Sequence, residues 1–294
     1  MTDLELPITE PQLLERLAMD DRQFGEYVRG LAGSLPSRAY EDGALAHALG
    51  YPWERPGRSY RLSDAGVEPL EEMSPAERDE AIAEHSAGDE GRRPLLAIGS
   101  NGAPEVLRRK FAHFPEAGDR ALLALTGRLH EFDVGYAAQP AIYGSLPATL
   151  FPSPGTSVSA TVLWVTPAQF TQLAWSELCY RLGRLETRFE VDEGGAAFDE
   201  VLVFVSRFGA FRVDGEPVAM AAVPADGRTA RALTQEQVLD AAAALAIGPG
   251  AKAEELVRAL YEDFVGFVPR LVETVNRESA PFVSERWTPF GSGA

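Results

Sequence analysis

The sequence predicts an α+β fold in which a small, curved or barrel-like sheet is crossed by one or two helices. Residues 94–233 contain short apolar and β-branched runs separated by turn formers, which is typical of strands. Residues 8–32 and 234–276 instead carry apolar residues at helical spacing. We therefore expect a mostly helical N-terminal module at 1–88, an α+β domain at 94–233, and C-terminal helices at 234–290 that pack on it.

The individual elements follow from apolar runs, capping residues and breakers. Ser74, Thr166 and Thr234 each precede a helical pattern and are predicted N-caps. The predicted helices are two within 8–32, then 40–49, 74–85, 167–178, 235–246 and 253–276, the last kinked or split at Pro269. The predicted strands are 95–98, 122–132, 148–151, 158–165, 184–191 and 200–208. The Pro-Ser-Pro-Gly run at 152–155 is expected to end one of these strands.

Composition narrows the classes of partner. The 294 residues carry a net charge of −17, which argues against binding to nucleic-acid phosphates or to an anionic membrane. A hydrophobic fraction of 45% is that of a globular protein, and no apolar run is long enough to cross a bilayer. One cysteine, Cys179, excludes an internal disulfide, and no signal peptide is recognisable. We expect a cytoplasmic protein that acts on a small molecule.

Residues 94–111 contain the first candidate site. A short apolar run ends in Gly99, Ser100, Asn101 and Gly102, and Pro104 then opens a helix. A tight turn from a strand into a helix leaves backbone N–H groups that can bind a carboxylate, a phosphate or an oxyanion. The alternative is a turn that only connects two elements.

Glu177 is the second candidate. It follows a predicted helix start at Thr166 and lies on or beside an apolar face that includes Leu173 and Ala174. Partial burial would raise the pKa of its carboxyl group, which suits a general acid or base near neutral pH. The alternative is a glutamate at the edge of this face that pairs with Arg181. Spacing alone leaves both open.

Several other motifs carry no chemistry. The Gly248-Pro249-Gly250 run follows a helix rather than a strand, so it lacks the context of a dinucleotide fingerprint. The four histidines are not at metal-ligand spacing, and Cys179 is interpreted as a packed residue. Neither a metal nor another cofactor is predicted. Residues 1–88 show no chemistry-bearing motif.

An ordered set of segments carries a family resemblance. The segments are AIGSN at 97–101, GRLHEF at 127–132, PATLFPSPG at 147–155, VLWVTPAQFTQL at 162–173, SELCYR at 176–181 and EVLVFV at 200–205. In order and spacing they resemble the γ-glutamylcyclotransferase-like family. The resemblance covers about residues 95–208 and leaves out the N-terminal module. It implies a small mixed barrel-like sheet with crossing helices and a cofactor-independent enzyme.

The resemblance also implies roles for particular residues. Glu177 corresponds to the essential glutamate of the family, and Tyr180, which follows it, is placed with the substrate-binding residues. The loop that holds the glutamyl end of the substrate corresponds to Ile98, Gly99, Ser100, Asn101 and Gly102.

The chain departs from the family pattern at two places. Ile98 stands where the loop usually has tyrosine, and Ala174 and Trp175 stand where aspartate and arginine often precede the glutamate. The first departure affects substrate fit and the second affects what holds Glu177. A second loop-like segment at 143–146 leads into 147–155 rather than a helix, so Ser100 is preferred to Ser145.

The activity implied is intramolecular aminolysis of a γ-glutamyl amide or peptide, which releases 5-oxoproline and an amine. Glu177 would move the proton and the loop N–H groups would hold the oxyanion or the carboxylate. A related amide-cleaving or acyl-transferring reaction is a near alternative. A non-catalytic binding module and a hydrolase with Ser100 as nucleophile are the others. Glu177 facing the Ser100 loop across an enclosed pocket favours an enzyme, whereas a filled pocket or pairing with Arg181 favours the binding module. The substrate and the oligomeric state stay open.

Overall fold

Five strands close into a mixed β-barrel, which confirms the predicted α+β class. This computed structural model describes residues 8, 10–32, 39–86, 91–193 and 197–290. The strands are β1 Tyr60–Ser63, β2 Gly66–Pro69, β3 Arg93–Ala97, β4 Leu122–Tyr136, β5 Ala148–Val165, β6 Tyr180–Val191, β7 Ala197–Ser206, β8 Ala210–Val213, β9 Glu216–Pro217, β10 Ala219–Met220, β11 Ala225–Asp226, β12 Ala232–Leu233, β13 Ser279–Ala280 and β14 Trp287–Pro289.

Helices surround this barrel. They are α1 Pro11–Ala18, α2 Asp21–Ala32, α3 Ala44–Leu49, α4 Pro75–Ser86, α5 Pro104–Phe111, α6 Ala117–Arg120, α7 Pro167–Trp175, α8 Gln235–Ala246, α9 Ala253–Glu262 and α10 Phe264–Arg277. Within the described ranges, no helix is both long and apolar enough to cross a membrane.

The barrel closes in the order β5, β3, β7, β6, β4 and back to β5. Only β3 and β7 among these neighbours run parallel, and the other ladders are antiparallel. Alternate residues along each strand face opposite sides of the sheet, so Leu95 and Leu96 belong to different apolar clusters. One cluster extends to α8, α9 and α10, and the other extends to α1, α5 and α7.

Strand β5 corrects the expectation that 152–155 ends a strand. It runs unbroken for 18 residues through that segment. Pro152 pairs with Phe132 and Ser157 pairs with His130, so a register shift between β4 and β5 accommodates the intervening residues. Such a bulge lets a strand continue past prolines, which cannot donate to the ladder.

The described part of the N-terminal region joins the sheet. Strand β1 pairs with β4, with Tyr60 opposite Ala124, and β2 forms a hairpin with β1. Strand pairing thus ties residues 60–69 to the barrel sheet. The domain boundaries themselves stay a prediction.

The C-terminal helices also differ from expectation. The predicted pattern at 253–276 forms two helices, α9 and α10, and the break lies at Asp263 rather than at Pro269. The carboxylate of Asp263 accepts a hydrogen bond from the N–H of Gly266 at 3.0 Å, which caps the second helix. Pro269 lies inside α10.

Helix α7 begins with a capping box. Thr166 Oγ1 accepts from the Gln169 N–H at 3.2 Å, and Gln169 Oε1 accepts from the Thr166 N–H at 3.0 Å. We expect Thr166→Ala to lower the free energy of unfolding by about 1 kcal/mol, because it leaves an N–H of the first turn unpaired. Urea denaturation measures this change. Thr166→Ser, which keeps the hydroxyl, is the control, and an equal loss in both variants would contradict the capping explanation.

Candidate active site

The loop between β3 and α5 has the predicted strand–turn–helix form. A 3₁₀ turn covers Ser100–Gly102, and α5 starts at Pro104. Two backbone N–H groups close the turn internally, since Gly102 donates to Gly99 O and Ala103 donates to Ser100 O, each at 3.0 Å. The loop therefore has fewer backbone donors for a ligand than its sequence implies.

Glu177 lies beside this loop, in the turn that follows α7. The helix ends at Trp175, which corrects the prediction that it reaches residue 178. Asn101 Nδ2 donates to Glu177 Oε1 at 3.0 Å. The Glu177 side chain keeps 15% of its surface exposed. The alternative pairing with Arg181 is wrong, because that guanidinium binds Asp21 at 2.6 Å.

The remaining predicted residues frame the loop. Ile98 is buried, and its carbonyl accepts from Arg55 Nη1 at 3.3 Å. Gly102 is buried beside Arg55, whose Cδ lies 3.0 Å from the position of an added Cβ. Tyr180 is buried, and its hydroxyl donates to Ala148 O at 3.0 Å. The Tyr180 hydroxyl proton is thus used within the fold.

Lys110 of α5 is a neighbour that sequence reasoning missed. Its Nζ donates to Asn101 Oδ1 and to Ser176 Oγ, each at 2.7 Å, and lies 3.8 Å from Glu177 Oε1. Only 16% of the Lys110 side chain is exposed. A cation in the last turn of a helix is ordinary, so nothing in the sequence singled out Lys110.

The electrostatics of Glu177 are set by burial first. Burial raises the pKa of its carboxyl group, while the Lys110 charge and hydrogen bonds from Asn101 and Ser176 act in the opposite direction. Burial lowers the pKa of Lys110, and the charge of Glu177 opposes that shift. Burial therefore disfavours the ionised form of Glu177, and the positive charge of Lys110 partly counteracts this effect.

Removal of the Lys110 charge is expected to raise the pKa of Glu177 further. In Lys110→Met the opposite charge is gone while burial stays, so we expect the pKa of Glu177 to rise. An NMR titration of the Glu177 carboxyl carbon measures it in both proteins. Lys110→Arg keeps the charge and is the control. An unchanged pKa in Lys110→Met would contradict the coupling.

The N-terminal region contributes Tyr51, although its sequence shows no chemistry-bearing motif. Tyr51 is 5% exposed, and its hydroxyl oxygen accepts from the Ala148 N–H at 2.9 Å. A Cβ added to Gly99 would collide with that oxygen. Gly99 has a φ of −122°, so glycine is needed here for space rather than for backbone freedom.

An aromatic group adjoins Tyr51. The rings of Trp53 and Tyr143 are 5.0 Å apart, and His47 stacks on Trp53 at 4.9 Å. The Ser100 side chain lies near the Tyr143 hydroxyl, where it opposes the rise in the Tyr143 pKa that burial causes.

Other nucleophiles and ligands fit a site less well. Ser145 is buried, and its hydroxyl donates to Ala48 O at 2.8 Å. Burial raises the pKa of Cys179 to about 11, so its thiol stays protonated at neutral pH. Among the residues that the structure describes, no group of three or more His, Cys, Asp or Glu side chains could hold a metal ion.

Comparisons with known proteins give likenesses of low extent. No protein-family model and no curated protein matches the chain. Among solved structures, a γ-glutamyl cyclotransferase matches with 18% identity over 39% of this chain and 66% of its own, at a TM-score of 0.30. A yeast γ-glutamyl cyclotransferase specific to glutathione matches with 12% identity over 63% and 98% of the two chains, at 0.29.

YkqA from Bacillus subtilis matches with 13% identity over 50% of this chain and 56% of its own, at 0.30. At these identities and TM-scores the likenesses carry no argument about activity. The structure itself shows an α+β protein with a closed five-stranded mixed barrel, in which the largely buried Glu177 carboxyl group contacts the loop after β3.

Proposed function

We propose that this chain cleaves a γ-glutamyl amide by intramolecular aminolysis, with Glu177 as the general acid and base. One observation carries the proposal: the Glu177 carboxylate is largely buried and meets the amide of Asn101, in the loop after β3, at 3.0 Å. A raised carboxyl pKa suits a group that must both accept and return a proton near neutral pH.

The proposed chemistry needs no external reactant. The α-amine of the γ-glutamyl group attacks its own γ-carbonyl carbon, and a new C–N bond closes a five-membered ring. Glu177 takes a proton from the attacking amine and passes it to the departing amine as the original C–N bond breaks. The products are 5-oxoproline and a free amine, and ring closure supplies proximity.

The charges around the site support an anionic substrate. Lys110 Nζ lies 3.8 Å from Glu177 Oε1, and Arg55 donates a hydrogen bond to the loop carbonyl of Ile98. The charge of Arg109 opposes the rise in the pKa of Tyr143. A local group of cations within a chain of net charge −17 would attract the α-carboxylate of a γ-glutamyl compound.

One observation favours the second candidate, a non-catalytic binding module. The Tyr51 hydroxyl lies against Gly99 and takes the Ala148 N–H, so a side chain of the protein itself lies where a ligand was expected to meet backbone donors. In that case the barrel keeps the geometry around Glu177 without turnover.

The deciding experiment is a mass-spectrometric assay with a panel of γ-glutamyl amines and γ-glutamyl peptides. We expect at least one member to release 5-oxoproline with the wild-type protein. Release of free glutamate instead would identify a related amide-cleaving reaction. No release from any member, together with measurable binding of one, would overturn the enzyme in favour of the binding module.

A further inference from the structure

We propose that the Tyr51 hydroxyl is a further catalytic group, whose O–H donates to the γ-carbonyl oxygen of the substrate as negative charge develops there. This inference rests on the proposed function and adds a residue from the N-terminal region to it. Three observations carry it: the hydrogen bond that the Tyr51 oxygen accepts, the absence of a described acceptor for its proton, and its position beside the loop.

The acceptor side of the Tyr51 hydroxyl is occupied. The Ala148 N–H donates to it at 2.9 Å. A phenolic hydroxyl has one proton to donate, and it accepts through its oxygen lone pairs. Because the Ala148 N–H donates to the oxygen, that bond does not use the hydroxyl proton.

The proton of Tyr51 has no acceptor among the residues described. Two other buried tyrosines behave differently, because Tyr180 donates to Ala148 O at 3.0 Å and Tyr136 donates to Leu233 O at 2.7 Å. A buried donor without an acceptor costs free energy. We therefore interpret the unpaired O–H of Tyr51 as a donor for a bound ligand.

The position of Tyr51 matches the charge that the reaction develops. Its oxygen lies against Gly99, two residues before Asn101, whose amide holds Glu177. Burial raises the pKa of Tyr51 to about 12, so the hydroxyl keeps its proton at neutral pH. The Tyr51 hydroxyl thus contacts the loop at Gly99, and the Glu177 carboxyl contacts it at Asn101.

The proposed step balances within the substrate. As the α-amine attacks, the π electrons of the γ-carbonyl move to its oxygen, which accepts a hydrogen bond from Tyr51. The Tyr51 proton is not transferred. When the electron pair returns, the bond to the leaving amine breaks, and the proton carried by Glu177 goes to that amine. Donors fixed in advance at a developing oxyanion are an effective form of transition-state stabilisation.

The test compares wild type, Tyr51→Phe and Tyr136→Phe on the substrate that the panel identifies. We expect Tyr51→Phe to lower kcat by about 10²–10³-fold with KM within about threefold, as for loss of one oxyanion donor. Tyr136→Phe is the matched control: it also removes a buried hydroxyl and leaves one backbone group unpaired, yet kcat should stay near wild type.

Other outcomes overturn the inference. A lower melting temperature for Tyr51→Phe with kcat retained would show that the hydroxyl only holds Ala148. Retained kcat in Tyr51→Phe alongside an inactive Glu177→Gln would overturn the role of Tyr51 and leave the proposed function standing. Absence of turnover by the wild type would overturn both.

A measurement on the wild type covers the case in which Tyr51→Phe does not fold. Carbon-13 NMR of protein labelled at tyrosine Cζ gives one signal for each tyrosine. The Tyr51 signal is assigned by replacing the other tyrosines one at a time. Saturation with 5-oxoproline, whose carbonyl mimics the reacting one, should shift the Tyr51 signal. No shift with the product bound would overturn the inference.

Discussion

Glu177→Gln is expected to lower kcat by about 10²–10⁴-fold, the usual contribution of a positioned general acid or base. Glutamine keeps an oxygen that can accept from Asn101 Nδ2, so the 3.0 Å contact can persist while proton transfer is lost. The assay is 5-oxoproline release from the substrate that the panel identifies. Glu200→Gln is the control, because Glu200 on β7 pairs with Arg184 on β6 rather than with the loop.

Turnover by Glu177→Gln at the wild-type rate would remove this residue from the mechanism. A second readout follows from linkage. Because the pKa of Glu177 is raised in the folded state, wild type loses stability as pH rises from the unfolded pKa through the folded one. Glutamine cannot ionise, so the difference in melting temperature between Glu177→Gln and wild type should grow in favour of the variant across that pH range.

Asp133→Ala is expected to lower the free energy of unfolding by about 3–5 kcal/mol, because it leaves a largely buried guanidinium without its counter-charge. Asp133 is fully buried in β4, and both of its oxygens accept from Arg228 at 2.8 Å. The same carboxylate also takes the Val134 N–H at 2.8 Å. Urea denaturation at neutral pH measures the loss.

A matched control is the exposed pair of Asp214 and Arg231. Their side chains are 82% and 60% exposed, so Asp214→Asn should change stability by only about 0–1 kcal/mol. Asparagine is used because Asp214 has a φ of 57°, which asparagine tolerates better than alanine does. The double variant Asp133→Ala with Arg228→Met should recover part of the loss, since it removes the orphaned charge. Equal effects of the two single Asp variants would show that burial does not determine the strength of the first pair.

Local signals in the sequence were sufficient for much of the fold. The capping boxes at Thr166 and Thr234, and the reciprocal hydrogen bonds of Ser74 and Glu77, lie where the sequence predicts them. A cap depends on residues three positions apart, so its chemistry is visible in the chain. The predicted end of a strand at 152–155 was wrong, because the continuity of β5 depends on a bulge shared with β4.

Some features of the candidate site could be predicted from the sequence, and others depend on the folded structure. The turn at Gly99 and the carboxyl of Glu177 could be singled out from residue type and spacing, and their catalytic roles stay proposals. That Asn101 meets Glu177 across 76 positions is a property of the folded barrel. The strand pairing that joins β3 to β5 brings the loop and the turn after α7 to one place.

By itself the sequence determined the α+β class, most of the helix starts and the strand–turn–helix form of the loop, because each depends on neighbours within a turn or a strand. Tertiary structure alone decided that Lys110 contacts Ser176, and that Tyr51 reaches Ala148 across 97 positions. Burial and unused hydrogen-bond donors belong to the assembled fold, since they depend on what surrounds an atom in space rather than on what adjoins it in the chain.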